Sequence, residues 1–183
     1  YNGFKIVINS KTLSTDDIQA LYKRIIKEEY LFGKGKMSNS DLKPAYLEKI
    51  YSDIKLARPI RVAIDCGNGA ASVCAEELYK GIGAQVESLF CNIDGSFPNH
   101  HPDPSNLKNL VSLQEALLKG ESELGLAFDG DGDRLGVVTK KGEIIFPDRQ
   151  LLLFAEDVLK KNPGASIIFD VKSTRHLFSW IED

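Results

Sequence analysis

The sequence is 183 residues long, which is enough for one ordinary domain and part of another. Hydrophobic residues make up 43% of it and charged residues 27%, proportions that suit a fold with a sizeable buried core and a water-exposed surface. With 23 basic and 26 acidic side chains the formal net charge is −3, whereas dedicated nucleic-acid-binding proteins usually carry a strong basic excess. We therefore expect no nucleic-acid partner, while a small anionic substrate remains compatible with this charge.

The cysteines and the lack of long apolar runs indicate where the protein works. The three cysteines, Cys66, Cys74 and Cys91, are odd in number and include no CxxC pair, a pattern typical of buried thiols in a reducing compartment. The sequence has no run of about 18 apolar residues and no signal-peptide pattern. We therefore expect a cytoplasmic location and no membrane partner.

The first 36 residues predict a strand, a helix and a linker. Residues 4–8 form a short apolar strand, and Ser14 with Asp17 makes a capping box at the start of a helix. The glycines within residues 32–36 break that helix. A second amphipathic helix follows, and its apolar positions are Leu47, Ile50, Tyr51 and Ile54.

The middle of the chain predicts an α/β unit. A compact apolar strand over residues 60–65 ends in the Gly-rich turn 66–69. A helix over residues 70–82 then leads to a strand over residues 85–90. This order is that of a βαβ unit, which implies two parallel strands and a right-handed crossover.

The second half of the chain predicts further helices and strands. The Pro-rich residues 97–104 are irregular, and the helix after them ends at Gly120. Asp148 caps another helix, which residues 162–164 end, and a last helix begins near Thr174. Strands are predicted over residues 124–128, 135–139, 143–146 and 166–171.

These elements predict an α/β fold with a mixed, mostly parallel sheet layered between helices, flanked by partial neighbouring domains. The central domain covers residues 37–160, and the flanking pieces are residues 1–36 and 161–183. Because the chain begins with Tyr1 and ends at Asp183 within a predicted helix, we expect both ends to be cuts through a longer protein.

Between the predicted strands at 124–128 and 135–139, aspartates and glycines alternate in the run Asp129-Gly130-Asp131-Gly132-Asp133-Arg134. Three carboxylates at this spacing repel one another unless solvent or a cation compensates their charge. The glycines permit positive φ, so a tight loop can direct all three carboxylates toward one point. Such a set of oxygen ligands favours a hard divalent cation such as Mg²⁺, bound by Asp129, Asp131 and Asp133.

Two other interpretations of this run are a solvated acidic hairpin tip and a calcium EF-hand loop. The hairpin tip is disfavoured because Arg134 follows directly and both flanking strands are strongly apolar. An EF-hand loop requires Gly at its sixth position and Glu at its twelfth, where this sequence has Arg134 and Lys140. Helices would also flank an EF-hand, whereas strands are predicted here.

The run and four other segments together resemble the α-D-phosphohexomutase family. Asp-Gly-Asp-Gly-Asp-Arg between two strands is similar to the metal-binding loop of that family. The other segments that agree in order are Tyr1-Asn2-Gly3-Phe4-Lys5, Asp65-Cys66-Gly67-Asn68-Gly69-Ala70, Asn99-His100-His101-Pro102-Asp103-Pro104 and Asp170-Val171-Lys172. The resemblance covers essentially the whole chain, and the His-His-Pro-Asp-Pro run favours the phosphomannomutase/phosphoglucomutase branch over the phosphoglucosamine mutases.

The resemblance implies a Mg²⁺-dependent isomerase of carbohydrate metabolism. Members of this family interconvert hexose 1-phosphate and hexose 6-phosphate through a phosphoserine and a hexose 1,6-bisphosphate intermediate. In the family, Mg²⁺ bridges the three loop aspartates and the phosphoserine. The phosphoserine lies in a Ser-His-Asn-Pro loop just before the Asn-Gly-Phe-Lys segment, and this chain does not contain that loop.

The resemblance also implies four domains, of which this chain holds a part. Residues 1–36 match the end of domain one, residues 37–160 the metal-binding domain two, and residues 161–183 the start of the sugar-binding domain three. The remaining parts of domains one and three, and domain four, are therefore expected partners of this chain. Without the phosphoserine, we expect the 183 residues alone to be inactive and to bind Mg²⁺ weakly.

The resemblance assigns roles to three basic residues. Lys5 matches the catalytic lysine, which assists proton movement at the attacked hydroxyl, while Arg134 and Lys172 match substrate-binding positions. Alternatively, Arg134 forms a structural ion pair with a loop aspartate, and Lys172 is an ordinary exposed side chain. The turn at residues 65–69 and the histidines at 100–101 are interpreted as structural.

Other functions stay open at this point. A phosphoglucosamine mutase would use the same loop on a different sugar. A metal-dependent phosphatase with a short Asp-x-Asp site would form an aspartyl-phosphate instead of a phosphoserine. A self-folding α/β module that only binds a metal or a partner is the non-enzyme alternative.

Overall fold

The computed structural model describes residues 4–182, except for the side chain of residue 182. Residues 1–3, which begin the Tyr-Asn-Gly-Phe-Lys segment, and residue 183 lie outside the described residues. The chain divides into two compact units, Tyr1–Ser40 and Asp41–Asp183. Among the described residues, no helix has both the length and the apolarity that a membrane crossing requires.

The first unit contains a two-stranded hairpin and one helix, which are β1 (Val7–Ile8), β2 (Lys11–Thr12) and α1 (Thr15–Ile26). Both turn residues, Asn9 and Ser10, have positive φ, as tight hairpin turns require. The strand is shorter than predicted over residues 4–8. Only Val7 and Ile8 pair, with Thr12 and Lys11 across the hairpin. The capping box forms: the backbone N–H and the hydroxyl of Ser14 each lie 3.0 Å from Asp17 Oδ2.

The second unit contains the central sheet and its helices. Its strands are β3 (Arg61–Asp65), β4 (Gln85–Leu89), β5 (Leu124–Phe128), β6 (Leu135–Thr139) and β7 (Ile144–Ile145). Its α-helices are α2 (Lys43–Asp53), α3 (Ala75–Gly81), α4 (Val111–Lys119), α5 (Pro147–Lys161) and α6 (His176–Glu182). Two short 3₁₀ segments, Ala70–Val73 and Leu107–Leu110, precede α3 and α4.

The five strands form one mixed sheet in the order β4-β3-β5-β6-β7. The strands β4, β3 and β5 run parallel, and β6 and β7 are antiparallel to their neighbours. The predicted βαβ unit is thus present as β3, α3 and β4. The helix predicted over residues 70–82 is divided into a 3₁₀ turn and α3.

Helices cover both faces of the sheet, and β3 supplies side chains to both. Ala63 packs with residues of α4, while Val62 and Ile64 pack on the opposite face with Ala75 of α3. This alternation follows from the two-residue period of a strand. On the α4 side the buried cluster is Ala63, Leu110, Leu113, Leu117, Ala127 and Val138. The predicted α/β class, with a mixed sheet between helices, is confirmed.

Two local predictions near the end of the chain are wrong. Residues 166–171 form no strand; Ile168 and Val171 are 91% and 96% exposed, and among residues 4–182 no strand pairs with this segment. A strand without a partner leaves its backbone N–H and C=O groups to solvent. An apolar pattern alone is therefore not sufficient to form a strand.

Asp148 also does not cap α5, because the helix already begins at Pro147, whose fixed φ suits the first helical position. Its carboxylate instead accepts a hydrogen bond at 2.9 Å from the backbone N–H of Thr174. Asp148 therefore ties the start of α5 to the segment before α6.

Candidate metal centre

The Asp-Gly run forms the loop that joins the antiparallel strands β5 and β6. Phe128 and Leu135 are the last paired residues, and the Asp129 N–H donates to the Arg134 carbonyl at 3.3 Å. Within the loop, Gly132 donates its N–H to the Asp129 carbonyl at 3.1 Å and has a φ of +80°. One of the two loop glycines therefore adopts the positive φ that the sequence suggested.

The loop brings its three aspartates together. One side-chain oxygen each of Asp129, Asp131 and Asp133 lies within 4.8 Å of the other two. Octahedral Mg²⁺ takes oxygen ligands at roughly 2.1 Å, so its ligands lie at most about 4.2 Å apart. Asp131 and Asp133 are exposed and can move inward by that small distance, whereas Asp129 is only 1% exposed. This donor set fits a hard divalent cation.

The three carboxylates lie in unequal electrostatic environments. The negative charges of Asp131 and then Asp129 raise the pKa of Asp133. Burial acts to raise the pKa of Asp129, but hydrogen bonds from the backbone and side chain of Arg134 outweigh it and leave that pKa lowered. A bound cation would relieve the repulsion among these carboxylates.

Arg134 holds the buried aspartate of the loop in place. Its backbone N–H donates to Asp129 Oδ1 at 2.9 Å, and its Nε donates to Asp129 Oδ2 at 2.7 Å. Its Nη1 also donates to Asp103 Oδ1 at 3.2 Å. The ion pair between Arg134 and a loop aspartate, which was the alternative interpretation of Arg134, is therefore present in the fold. The side chain is still 57% exposed, so the guanidinium also faces solvent.

Asp103 is a member of this site that the sequence did not single out. Its Oδ1 accepts hydrogen bonds from the backbone N–H of Ser105 at 3.1 Å and from the Ser105 hydroxyl at 2.7 Å. These bonds lower the pKa of Asp103 and keep it available as a negative partner for Arg134. The residue lies 31 positions before Arg134, and only its place in the His-His-Pro-Asp-Pro run could have drawn attention to it.

The Gly-rich turn after β3 supports the loop from behind. The Ala70 N–H donates to the Gly130 carbonyl at 2.9 Å. Gly69 lies so close that a Cβ on it would come within 2.8 Å of the same carbonyl oxygen. The contacts agree with a structural role for this turn, and its glycine is needed for a close approach of two backbones.

A buried carboxyl group at the end of β3 organises this Gly-rich turn. Asp65 Oδ1 accepts a hydrogen bond from the Gly67 N–H at 2.8 Å, and Asp65 Oδ2 lies 3.0 Å from His100 Nε2. The His100 ring packs edge-on against Phe90, with centroids 5.4 Å apart. These contacts agree with a structural role for His100 as well.

The other two predicted basic residues lie elsewhere in the chain. Lys5 belongs to the first unit, where it precedes β1 and is exposed. Lys172 belongs to the second unit and directly follows residues 166–171, the segment that was wrongly predicted as a strand. Its Nζ lies 3.8 Å from Asp170 Oδ2. The predicted residues that the structure brings together are therefore the three aspartates and Arg134.

A cavity of about 380 Å³ opens beside the loop. Asp133 and Arg134 are among its lining residues, and Leu135, Ile144 and Phe146 contribute apolar surface. The combination of apolar walls and a few charged groups is typical of small-molecule sites.

Comparison with known proteins gives consistent matches. A family model described as "Phosphoglucomutase/phosphomannomutase, alpha/beta/alpha domain II" matches residues 44–142, which include the sheet and the loop. The phosphoglucomutase of Neisseria gonorrhoeae is 54% identical to this chain across its whole length. The phosphomannomutase/phosphoglucomutase of Pseudomonas aeruginosa strain PAO1 is 52% identical over 99% of this chain. The chain spans about 40% of the length of these curated relatives.

Solved structures give the same result. A crystal structure of a phosphoglucomutase/phosphomannomutase family protein from Burkholderia thailandensis matches with a TM-score of 0.89 and 51% identity. That match covers 98% of this chain and 39% of the solved one. A putative phosphomannomutase from Thermus thermophilus shares the fold at 22% identity and a TM-score of 0.64.

Proposed function

Because the chain belongs to the phosphoglucomutase/phosphomannomutase family, we propose that it is the metal-binding part of a hexose-phosphate mutase. The proposed enzyme interconverts hexose 1-phosphate and hexose 6-phosphate through a phosphoserine and a 1,6-bisphosphate. Since the chain spans only about 40% of its curated relatives, the proposed activity belongs to a longer protein that supplies the phosphoserine.

The observation that carries this proposal is the convergence of three carboxylates on one loop of the matched domain. Asp129, Asp131 and Asp133 place oxygens within 4.8 Å of one another, on a loop held in place by Arg134 and by the turn behind it. A hard divalent cation is the ligand that such a set of oxygens prefers, and Mg²⁺ is our proposal for its identity.

In the proposed reaction, Mg²⁺ bound to the loop would neutralise charge on the transferring phosphoryl group. The role of this chain's own residues is to hold the carboxylates that would bind the cation. Arg134 fixes the orientation of Asp129 through two hydrogen bonds. The exposed part of its guanidinium can donate to phosphate oxygens, for which its planar geometry is suited.

Lys5 and Lys172 are assigned roles from the family resemblance alone. We propose that Lys5 assists proton transfer at the sugar hydroxyl and that Lys172 binds substrate. Both proposals rest on the motifs around these residues. The domain limits 1–36, 37–160 and 161–183 are proposed on the same basis. We also propose a cytoplasmic location, from the cysteine usage of the chain.

The metal assignment can be tested on the chain itself, with Mn²⁺ as a spectroscopic substitute for Mg²⁺. We expect Asp131→Ala to weaken Mn²⁺ binding at least about tenfold, since even the loss of an outer partner of a metal site typically costs that much. The measurement is a Mn²⁺ titration followed by electron paramagnetic resonance. Asp157→Ala is the matched control, because Asp157 is an exposed aspartate on α5 that pairs with Lys161.

The two variants give a clear decision. Unchanged Mn²⁺ affinity in Asp131→Ala would contradict the ligand assignment, and an equal loss in Asp157→Ala would indicate nonspecific binding to acidic surface. In a longer protein with the phosphoserine segment, Asp131→Ala should also remove conversion of hexose 1-phosphate to hexose 6-phosphate. Full turnover of that variant, without divalent metal, would show that the proposed metal mechanism is wrong.

A further inference from the structure

Two cysteines lie in contact behind the metal loop. The Sγ atoms of Cys66 and Cys91 are 3.2 Å apart, so the two thiols are within hydrogen-bond distance. Cys66 directly follows β3, and Cys91 lies two residues after the end of β4. Both belong to the apolar cluster on the α3 side of the sheet.

The contact follows from the way the two parallel strands end. Asp65 pairs with Leu89, and the Cys66 N–H donates to the Leu89 carbonyl at 3.1 Å, so the neighbouring backbones stay together past the strand ends. In a regular strand, consecutive side chains point to opposite faces. Phe90 has a φ of +51° and leaves strand geometry, so the chain is redirected just before Cys91. The Cys91 side chain can then meet that of Cys66.

We propose that Cys66 and Cys91 are an oxidative modification site, at which a peroxide converts the two thiols into a reversible disulfide. A disulfide has an S–S distance of about 2.05 Å, so the two sulfurs need to approach by only about 1.2 Å from their present separation. The strand ends bring the two backbones together beforehand, which is the main geometric requirement for such a bond.

The two thiols are suited to different steps. Cys91 is partly exposed, and the neighbouring Cys66 thiol keeps the pKa of Cys91 below its ordinary value. Cys66 is fully buried, and the pKa of its thiol is raised, first by the interaction with Cys91 and then by burial. The thiolate is the attacking form, so Cys91 reacts with the oxidant and Cys66 resolves the product.

The proposed reaction balances without a further reactant. The Cys91 thiol loses its proton, its thiolate attacks one peroxide oxygen, and the O–O bond breaks to give a sulfenic acid. The leaving hydroxide combines with the proton from Cys91 as one water. The Cys66 sulfur then attacks the Cys91 sulfur, the S–S bond forms, and the S–O bond breaks. The leaving hydroxide combines with the Cys66 proton as a second water. A thiol reductant reverses the change by thiol–disulfide exchange.

The disulfide would join two segments that already support the metal loop. The Asn68 N–H donates to the Phe90 carbonyl at 2.8 Å, and its side-chain amide donates to the Asn92 carbonyl at 2.8 Å. The same turn contacts the loop through the hydrogen bond from Ala70 to Gly130. Oxidation therefore acts on the turn that contacts the metal loop.

The site can be tested by oxidising the folded 183-residue chain with hydrogen peroxide. Free thiols are then alkylated with a mass-labelled reagent, and peptide mass spectrometry locates any disulfide. We expect a Cys66–Cys91 cross-linked peptide that disappears after dithiothreitol. Cys74→Ser is the variant that removes the third cysteine, and it should form the same bond. Cys91→Ser should form none and should leave Cys66 alkylatable after unfolding.

Each result is informative. A Cys66–Cys91 peptide in wild type and in Cys74→Ser supports the proposal. A disulfide that includes Cys74, or oxidation of both partners to sulfinic or sulfonic acid without a cross-link, would overturn it. If Cys91→Ser fails to fold by circular dichroism, the Cys74→Ser result decides by itself, because that variant keeps both proposed partners.

Discussion

Asp65 is a carboxyl group without exposure to solvent at the end of β3. Burial raises the pKa of Asp65, and the hydrogen bonds from Gly67 and His100 offset this only in part. The folded protein therefore binds a proton at Asp65 more readily than the unfolded chain does. The contribution of Asp65 to stability is then complete below about pH 4 and is lost as the pH rises through its folded-state pKa.

This sign predicts the behaviour of Asp65→Asn, which keeps the shape of the side chain and removes its ionisation. The free energy of unfolding of the variant, minus that of wild type, should rise as the pH increases above about 4 and then level off. Urea unfolding at a series of pH values measures this difference. A difference that falls with pH would contradict the assignment, because it would mean that Asp65 is more acidic in the folded state.

At the scale of single residues, the sequence predicted the loop better than its surroundings. The convergence of Asp129, Asp131 and Asp133 follows from local spacing and glycine geometry, which act within a few residues. The pairing of Arg134 with Asp103 depends on how a distant Pro-rich segment packs beside the loop. No periodicity or spacing contains that information, so the partner could be recognised only in the folded chain.

At the scale of elements, the close approach of two loops is the feature that positions the metal site. Gly69 and Gly130 face each other so closely that a methyl group on Gly69 would meet the Gly130 carbonyl oxygen at 2.8 Å. The atom that would be displaced is backbone, which cannot rotate away as a flexible side chain can. The position of the Asp-Gly loop therefore depends on the absence of a side chain at Gly69.

We expect Gly69→Ala to destabilise the chain by about 1–3 kcal/mol, the usual cost of overpacking a close contact. The variant should also weaken Mn²⁺ binding, because the loop has to shift. Gly95→Ala is the matched control, since an added Cβ there meets nothing within 4 Å. Urea unfolding and Mn²⁺ titration measure both effects, and equal behaviour of the two variants would show that the contact is unimportant.

The same distinction between local and distant information explains which elements were predicted. The strands at β3, β5 and β6 have compact apolar patterns, and all three find partners in the sheet. The segment at residues 166–171 has a similar pattern, but it finds no partner among residues 4–182 and stays irregular. A short apolar run predicts that a segment can form a strand, while pairing decides whether it does.

At the scale of the whole molecule, the buried core belongs to the second unit. Both apolar clusters on the two faces of the sheet lie within Asp41–Asp183. In the first unit, the described residues of α1 include none that is buried. Folding of the α/β domain should therefore depend on residues 41–183.

We expect residues 41–183, produced alone, to unfold in one cooperative transition. The free energy of unfolding should agree within about 1 kcal/mol with that of the 183-residue chain, because neither buried cluster contains a residue of the first unit and changes outside the core usually have small effects. Urea unfolding followed by circular dichroism measures this. A shortened chain without a cooperative transition would show that the first unit is required for the domain to fold.

The immobilised Asp129 has a consequence for how a cation is captured. Two hydrogen bonds from Arg134 already restrict its rotamer, so the entropy of ordering that carboxylate is lost during folding and not during binding. A cation then has to order only Asp131 and Asp133, each at a cost of no more than about 1–2 kcal/mol. One of the three loop carboxylates is prepared in advance, and the affinity of the loop reports mainly on the two exposed ones, Asp131 and Asp133.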